Sequence, residues 1–211
     1  VARIGGGLFT LFLEYNLETV ETIRNIKYFD CRHLGIEMPV TMRFGAYVAE
    51  SFDENVTDML NYSTLCMDRT ISSVTNTFSF FTQEYREKMM TEVNVTSQMP
   101  SALANNEFVL WFQPQYKTAT NELSGAEVLC RWVKPDGTIF PPTLFIPIAE
   151  KNGFIVTLDK LIWRQAFEKM HKWLDEGLNP APISVNISRV SLESDSMVYA
   201  IKRLDEEFKI P

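Results

Sequence analysis

The sequence has few of the residues that usually mark a metal centre or a secreted protein. Its 211 residues include three cysteines and two histidines. Cys31, Cys66 and Cys130 are odd in number and lack the spacing of zinc ligands, which favours a reduced, cytoplasmic compartment over a disulfide-stabilised one. His33 and His171 lie outside the motifs that carry chemistry, so we assign them no role.

Positive charge and long apolar runs are also scarce. Twenty Lys and Arg stand against 27 Asp and Glu, which gives a net charge of −7 and a pI of about 5.0. This balance disfavours nonspecific nucleic-acid binding, although a phosphate ligand needs only local cations. No apolar run is long enough to cross a bilayer and no signal peptide opens the chain. A membrane tether upstream of Val1 stays open, because the chain does not begin with Met.

Apolar residues, at 45% of the chain, are sufficient for more than one core. The hydrophobic patterns predict an α/β protein in three parts. Residues 1–82 form an α+β domain, residues 83–106 a helical linker, and residues 107–211 alternate strand and helix. Such alternation is typical of a (β/α) barrel.

Two adjacent strands carry the strongest functional signal. Phe108 to Phe112 is an apolar run closed by Gln113-Pro114, which predicts a strand buried on both faces. Within it, Trp111 is interpreted as core, as is Trp132 in the next strand.

The second strand, Leu123 to Trp132, places charged residues on an apolar surface. With a period of two, Glu127, Leu129 and Arg131 share one face. A carboxylate and a guanidinium are costly to bury unless they bind a ligand or pair with each other. The strand alone leaves both interpretations open.

Short motifs occur in order along residues 107–211. They are Phe112-Gln113-Pro114, Gly125-x-Glu127-Val128-Leu129-x-Arg131-Trp132, Phe145-Ile146-Pro147-x-Ala149-Glu150 and Val185-Asn186-x-Ser188. Together they resemble the N-terminal part of the EAL domain, the bacterial hydrolase of cyclic di-GMP. Val128 stands where that family usually has Ala. Because Val128 points away from the Glu127 face, we expect it to alter packing rather than chemistry.

The resemblance implies a metal-dependent site. Glu127 and Asn186 match ligands of Mg²⁺ or Mn²⁺, cations that prefer oxygen donors. The positions that match substrate contacts are Gln113, Leu129, Arg131 and Glu150. From the residues alone, Asn186 could instead cap a strand end, Glu150 could be an exposed helix acid, and Gln113 a buried amide.

The resemblance also implies an incomplete EAL-type barrel. A (β/α)₈ barrel of the TIM type takes about 250 residues, and residues 107–211 reach only its early strands. The family's catalytic residues are therefore expected beyond Pro211, with none within the chain. We expect the 211-residue chain alone to be inactive and to self-associate, as a homodimer or otherwise, through unpaired strand edges.

The first residues predict a glycine-centred hairpin. Its turn and flanks are Gly5, Gly6, Gly7, Leu8 and Phe9. By itself this is only a permissive turn, but it resembles the signature hairpin of the GGDEF domain, which makes cyclic di-GMP from GTP. Gly7 and Leu8 replace the family's metal-binding acid pair and offer no side-chain oxygen. The resemblance therefore implies a degenerate domain without cyclase chemistry.

The elements that follow fit the C-terminal half of such an α+β domain. They are a helix over Leu17 to Arg32, a strand over Met38 to Ala49, a helix over Val56 to Met67 and a strand over Asn76 to Phe81.

Two functions remain open at this level. The first is a cyclic di-GMP signalling enzyme that hydrolyses the messenger to linear pGpG, with its cyclase half inactive. The second is a non-catalytic receptor that binds cyclic di-GMP. An upstream sensor domain fits either arrangement.

Overall fold

A computed structural model describes residues 1–26, 28–32, 35, 37–71, 77–193 and 196–210. The chain divides into two compact units, Val1–Met89 and Met90–Pro211. His33, Asn76 and Pro211 lie outside the described ranges.

The first unit combines short strands with longer helices. Its strands are β1 (Ala2–Gly5), β2 (Leu8–Thr10), β3 (Tyr28–Phe29), β4 (Val40–Thr41), β5 (Phe44–Ala46) and β6 (Phe78–Phe80). Its helices are α1 (Leu17–Asn25), α2 (Val56–Ile71) and the first part of α3 (Gln83–Ala104). The strands pair in two-stranded sheets: β1 with β2 and β3 with β4 are antiparallel, whereas β5 with β6 is parallel.

Two predicted elements of this unit differ from the structure. The helix predicted to reach Arg32 ends at Asn25, because Ile26 adopts an extended backbone and β3 follows at once. The strand predicted over Met38 to Ala49 is broken into β4 and β5. Local periodicity does not show where a chain leaves one pairing partner for another.

The predicted glycine hairpin is present. Gly6 has a positive φ of 55°, and the Arg3 guanidinium donates to the Gly6 carbonyl oxygen at 3.1 Å. Gly7 is exposed and Leu8 half-buried. Among the described residues between 1 and 32, only Cys31 is buried, so this segment contributes little to the core of the unit.

The core of the first unit lies between α2 and the β5–β6 pair. Cys66 of α2 is fully buried, and Gly45 of β5 contacts the helix backbone closely. Beside this contact, the rings of Tyr62 and Phe81 stack with centroids 4.5 Å apart. The Tyr47 hydroxyl donates to Glu54 at 2.6 Å; this hydrogen bond, burial and the negative charge raise the pKa of Tyr47 to about 12.

The second unit is built on one mixed sheet. Its strands are β7 (Phe108–Tyr116), β8 (Leu123–Val133), β9 (Ile139–Phe140) and β10 (Ile183–Val185), and its further helices are α4 (Pro142–Asn152), α5 (Ile155–Asp175), α6 (Arg189–Leu192) and α7 (Ser196–Phe208). The strand order is β10-β8-β7, with β9 also paired to β8. β10 is parallel to β8, whereas β7 and β9 are antiparallel to it.

Local signals explain several boundaries. Residues 134–137 form a turn, with Gly137 at a φ of 84° and the Thr138 amide donating to Asp136. Gly177, with a φ of 76°, follows the end of α5. Pro142 begins α4, and Pro147 lies inside it.

One face of the β7–β8 pair packs against the helices. The buried residues of this core are Val95, Met99, Ala102, Phe108, Val128, Trp132, Phe145, Ala149, Ile155, Leu158, Ile162 and Ala166. The members from α3 show that the second part of this helix packs into the core of the second unit. The domain boundaries at 82 and 106 stay a prediction.

The antiparallel entry of β7 departs from the predicted strand–helix alternation, which favours parallel strands throughout. It follows from the short Lys117–Glu122 connection, since a connection this short allows only an antiparallel return. In the ranges described, no helix is long and apolar enough to span a membrane.

Candidate functional site

The site face is the side of β7 and β8 that turns away from the buried core. The strand register places Gln113 opposite Glu127 and Trp111 opposite Leu129. Arg131 lies two residues beyond Leu129 along β8, on the same face. Val128 and Trp132 point to the other side, where each is almost fully buried. The predicted sharing of one face by Glu127, Leu129 and Arg131 therefore agrees with the observed packing.

Glu127 and Asn186 come together although they are far apart in sequence. The parallel pairing of β10 with β8 places Ser184 opposite Glu127, and Asn186 follows directly after β10 ends. The Asn186 side-chain amide donates to Glu127 Oε1 at 2.8 Å. The side chain of Asn186 therefore contacts the carboxylate of the neighbouring strand, in addition to its place at the end of β10.

Arg131 does not pair with Glu127 in the ranges that the structure describes. Its side chain is half-buried, donates to the Cys130 carbonyl oxygen at 2.9 Å, and lies 5.3 Å from the centroid of the Trp111 ring. The internal ion pair, one of the two interpretations of this strand, is therefore wrong. The guanidinium keeps N–H groups for a ligand.

Two expectations about β7 are wrong. The strand is not buried on both faces, because Gln113 is exposed and Trp111 is 48% exposed. Trp111 is therefore a residue of the site face rather than of the core, and Gln113 is not a buried amide. Leu129 lies half-buried between them and Arg131.

Glu150 is not joined to the other candidates. It lies near the C-terminal end of α4 with its side chain exposed, beside the buried Ala149. Within the described ranges, its carboxylate makes no hydrogen bond or ion pair with Glu127, Arg131 or Asn186.

The donor set of Glu127 and Asn186 fits part of a cation site. Half a turn of the Asn186 amide would place its oxygen toward the Glu127 carboxylate, and two facing oxygens are stable when a cation lies between them. The ranges described contain no cluster of three His, Cys, Asp or Glu side chains that could hold a metal ion. These two residues would therefore hold a cation together with ligands from elsewhere.

Comparison with known proteins shows the family. The family model described as the EAL domain matches residues 96–211, more than half of the chain. The chain belongs to the EAL domain family.

Curated relatives of this EAL domain are much longer than the chain. The cyclic di-GMP phosphodiesterase PdeR of Escherichia coli (strain K12) is 26% identical over 172 residues, which cover 82% of this chain and 26% of PdeR. The signaling protein YkoW of Bacillus subtilis (strain 168) is 30% identical over 134 residues, which cover 64% of this chain and 17% of YkoW. The chain thus spans about a quarter or less of these relatives.

A solved structure has a similar fold. The PaMucR phosphodiesterase, in complex with c-di-GMP, superposes with a TM-score of 0.52 at 27% identity, over 56% of this chain and 47% of that one.

Behind the site of this EAL domain, helix α5 holds the segment that carries Asn186. Trp163 Nε1 donates to the Asn186 carbonyl oxygen at 3.2 Å. Asp159 Oδ2 accepts from the Ser188 amide at 3.1 Å and from Ser191 Oγ at 2.7 Å. Asp159 is only 8% exposed, and its bonds anchor the first turn of α6, which Ser188 caps.

Sequence reasoning missed Asp159. The available signal was an acid placed next to Leu158 on the apolar face of an amphipathic helix, where it must find donors to be tolerated.

We expect Asp159→Leu to lower the free energy of unfolding by about 1–3 kcal/mol, because it leaves the Ser191 hydroxyl and the Ser188 amide without an acceptor. Hydrogen exchange in the peptide around Asn186 should increase, and Asp159→Asn, which keeps an acceptor oxygen, should restore much of the protection. Asp175→Leu is the control, since Asp175 is exposed on the same helix. Unchanged exchange around Asn186 in Asp159→Leu would contradict this role.

Cys130 is unsuited to nucleophilic chemistry. Burial raises the pKa of its thiol to about 12; nearby Arg131 opposes this shift and Asp159 adds to it. The thiol is therefore protonated at neutral pH and acts as a packing residue.

Proposed function

We propose that the chain is the N-terminal part of an EAL domain that binds cyclic di-GMP and belongs to a phosphodiesterase hydrolysing it to linear pGpG. The observation that carries this proposal is the contact between Glu127 and Asn186 at the ends of neighbouring parallel strands. Gln113, Leu129 and Arg131 extend from the same face.

The chemistry of phosphodiester hydrolysis explains why these residue types would be needed. A divalent cation, Mg²⁺ or Mn²⁺, would supply an activated water near neutral pH and neutralise phosphoryl charge. In this chain Glu127 and Asn186 would hold the cation, and Arg131 would grip a phosphate, for which a planar guanidinium is suited.

The remaining candidates would contact the ligand more weakly. Leu129 would pack against it, and the Gln113 amide would offer a donor and an acceptor. Glu150 joins the proposal only by its motif, because within the described part of the chain no hydrogen bond or ion pair links its side chain to the other candidates.

The relatives support the ligand. PdeR is a cyclic di-GMP phosphodiesterase, and the PaMucR structure is that of a phosphodiesterase in complex with c-di-GMP. The proposal further includes a cytoplasmic location, self-association of the chain and a sensor domain upstream.

Arg131→Ala tests whether this guanidinium contributes to the binding of cyclic di-GMP. In the full-length protein we expect it to weaken cyclic di-GMP binding by about 1–3 kcal/mol, because it removes a charge-assisted contact to phosphate. Isothermal titration calorimetry measures the change in the dissociation constant.

Two control variants separate binding from general damage. Arg203→Ala removes an arginine that also lies beside an aromatic ring, 6.0 Å from Tyr199 on α7, and it should leave affinity unchanged. Val128→Ala should lower stability, since Val128 is buried, but change affinity little. Equal losses of affinity in Arg131→Ala and Val128→Ala would show that the site face is assigned wrongly.

The first unit is proposed to be a degenerate GGDEF domain. Its hairpin carries Gly7 and Leu8 where metal-binding acids would be required. We expect no cyclic di-GMP from GTP with Mg²⁺ or Mn²⁺, as measured by liquid chromatography of the products. Product above a blank without protein would contradict the assignment.

The alternative function is a receptor without turnover. It is motivated by the degenerate hairpin of the first unit, in which Gly7 and Leu8 stand where metal-binding acids would be required. Binding of cyclic di-GMP by the full-length protein without formation of pGpG would establish the receptor; formation of pGpG would establish the enzyme. The 211-residue chain alone is expected to be inactive under either proposal.

A further inference from the structure

Trp111 lies among the residues proposed to contact the ligand. On the site face of β7 it is directly opposite Leu129 and next to the Gln113–Glu127 pair in the strand register. Its role is therefore argued from what its side chain contacts on this face.

The indole contacts Arg131. Arg131 stands diagonally across from Trp111, and its guanidinium carbon is 5.3 Å from the centroid of the indole ring. This distance is within the range of a cation–π interaction, for which Trp is the strongest partner. Within the described residues, the guanidinium also donates to the Cys130 carbonyl oxygen. The indole of Trp111 is thus a side-chain contact of Arg131 on the site face.

A flexible arginine loses conformational entropy each time it grips a ligand, and a side chain that restrains it beforehand reduces this loss. A ring that stacks on the face of a guanidinium leaves the N–H groups at its edge for a phosphate.

We infer that Trp111 is a positioning residue for Arg131: it orients the guanidinium for the phosphate of the bound cyclic dinucleotide. This inference rests on the proposed function. The competing role for an exposed indole beside such a ligand is direct stacking on a purine base, and the two roles differ in whether the effect of Trp111 passes through Arg131.

The test is a double-mutant cycle on cyclic di-GMP affinity in the full-length protein. Trp111→Leu should weaken binding about threefold to tenfold, and Trp111→Phe, which keeps a ring, by about twofold or less. In an Arg131→Ala background, Trp111→Leu should have no further effect. Additive losses would mean that the indole contacts the ligand itself, and they would overturn the positioning role.

Tyr116→Leu is the matched control. Tyr116 is an aromatic residue on the same strand with 56% exposure, but it lies at the opposite end of β7, opposite Leu123. Its replacement should leave affinity unchanged. A loss equal to that of Trp111→Leu would mean that any exposed ring of this strand matters, which also contradicts the inference.

A second arm needs no ligand. The wild-type protein, Trp111→Leu, Arg131→Ala and the double variant are compared by urea unfolding. A coupling between Trp111 and Arg131 should appear as a non-additive change in the unfolding midpoint. If the wild-type protein fails to bind cyclic di-GMP, the proposed function is wrong. The unfolding cycle then still decides: a non-additive change supports the pairing of Trp111 with Arg131, and strict additivity refutes it.

Discussion

If the full-length protein is the proposed phosphodiesterase, Glu127→Ala is expected to abolish its hydrolysis of cyclic di-GMP. The Glu127 carboxylate lies beside Asn186, with Oε1 2.8 Å from the side-chain amide nitrogen. Without it, a cation at this position would lose its charged ligand, and Asn186 would lose the partner that orients it. Removing a group that stabilises the charge on the reacting phosphate lowers kcat by about a hundredfold to a thousandfold.

The measurement is formation of pGpG with Mg²⁺ or Mn²⁺ in excess. Glu122→Ala serves as the matched control, since Glu122 is an exposed acid that pairs with Lys117 in the turn preceding β8; it should keep full activity. Retained turnover in Glu127→Ala would mean that the cation is held elsewhere. Retained binding together with lost turnover is the expected pattern, because Arg131 and Gln113 remain.

Gly45→Ala is expected to unfold the first unit. A Cβ atom at Gly45 would lie 1.9 Å from the Ser63 carbonyl oxygen and 2.7 Å from the Met67 backbone nitrogen, both in α2. Both are backbone atoms of a helix, so a change of side-chain rotamer cannot relieve the clash. Strand β5 would therefore have to move away from α2. Overpacking of this kind costs about 3 kcal/mol or more, a large share of the stability of a small unit.

Urea unfolding and limited proteolysis within residues 1–89 measure this effect. Gly7→Ala is the control in the same unit, because nothing lies within 4 Å of a Cβ built there; it should change stability little. Equal stability of Gly45→Ala and the wild type would show that β5 does not pack on α2 in this way.

Much of the site face follows from the sequence. The period-two alternation of β8 alone places Glu127, Leu129 and Arg131 together and sends Val128 and Trp132 to the core, and both assignments agree with the structure. The glycine hairpin and the turn around Gly137 are likewise local, since their backbone requirements are met within a few residues.

The ends of elements were less accessible. Helix α1 stops at Asn25 rather than Arg32, and β7 turns back antiparallel to β8. In both places the outcome depends on which strand the chain pairs with next, and periodicity within one segment carries no information about its partner.

The contacts between residues far apart in sequence depend on tertiary packing. The parallel pairing of β10 with β8 brings Asn186 to Glu127, and α5 supplies Asp159 to hold the segment that carries Asn186. Trp111, apolar within an apolar run, belongs to the site face because the helices cover only the other side of β7. The alternation of side chains along each strand follows from the sequence alone, because it is a property of the local backbone. The exposed face and the partners depended on how distant segments pack together.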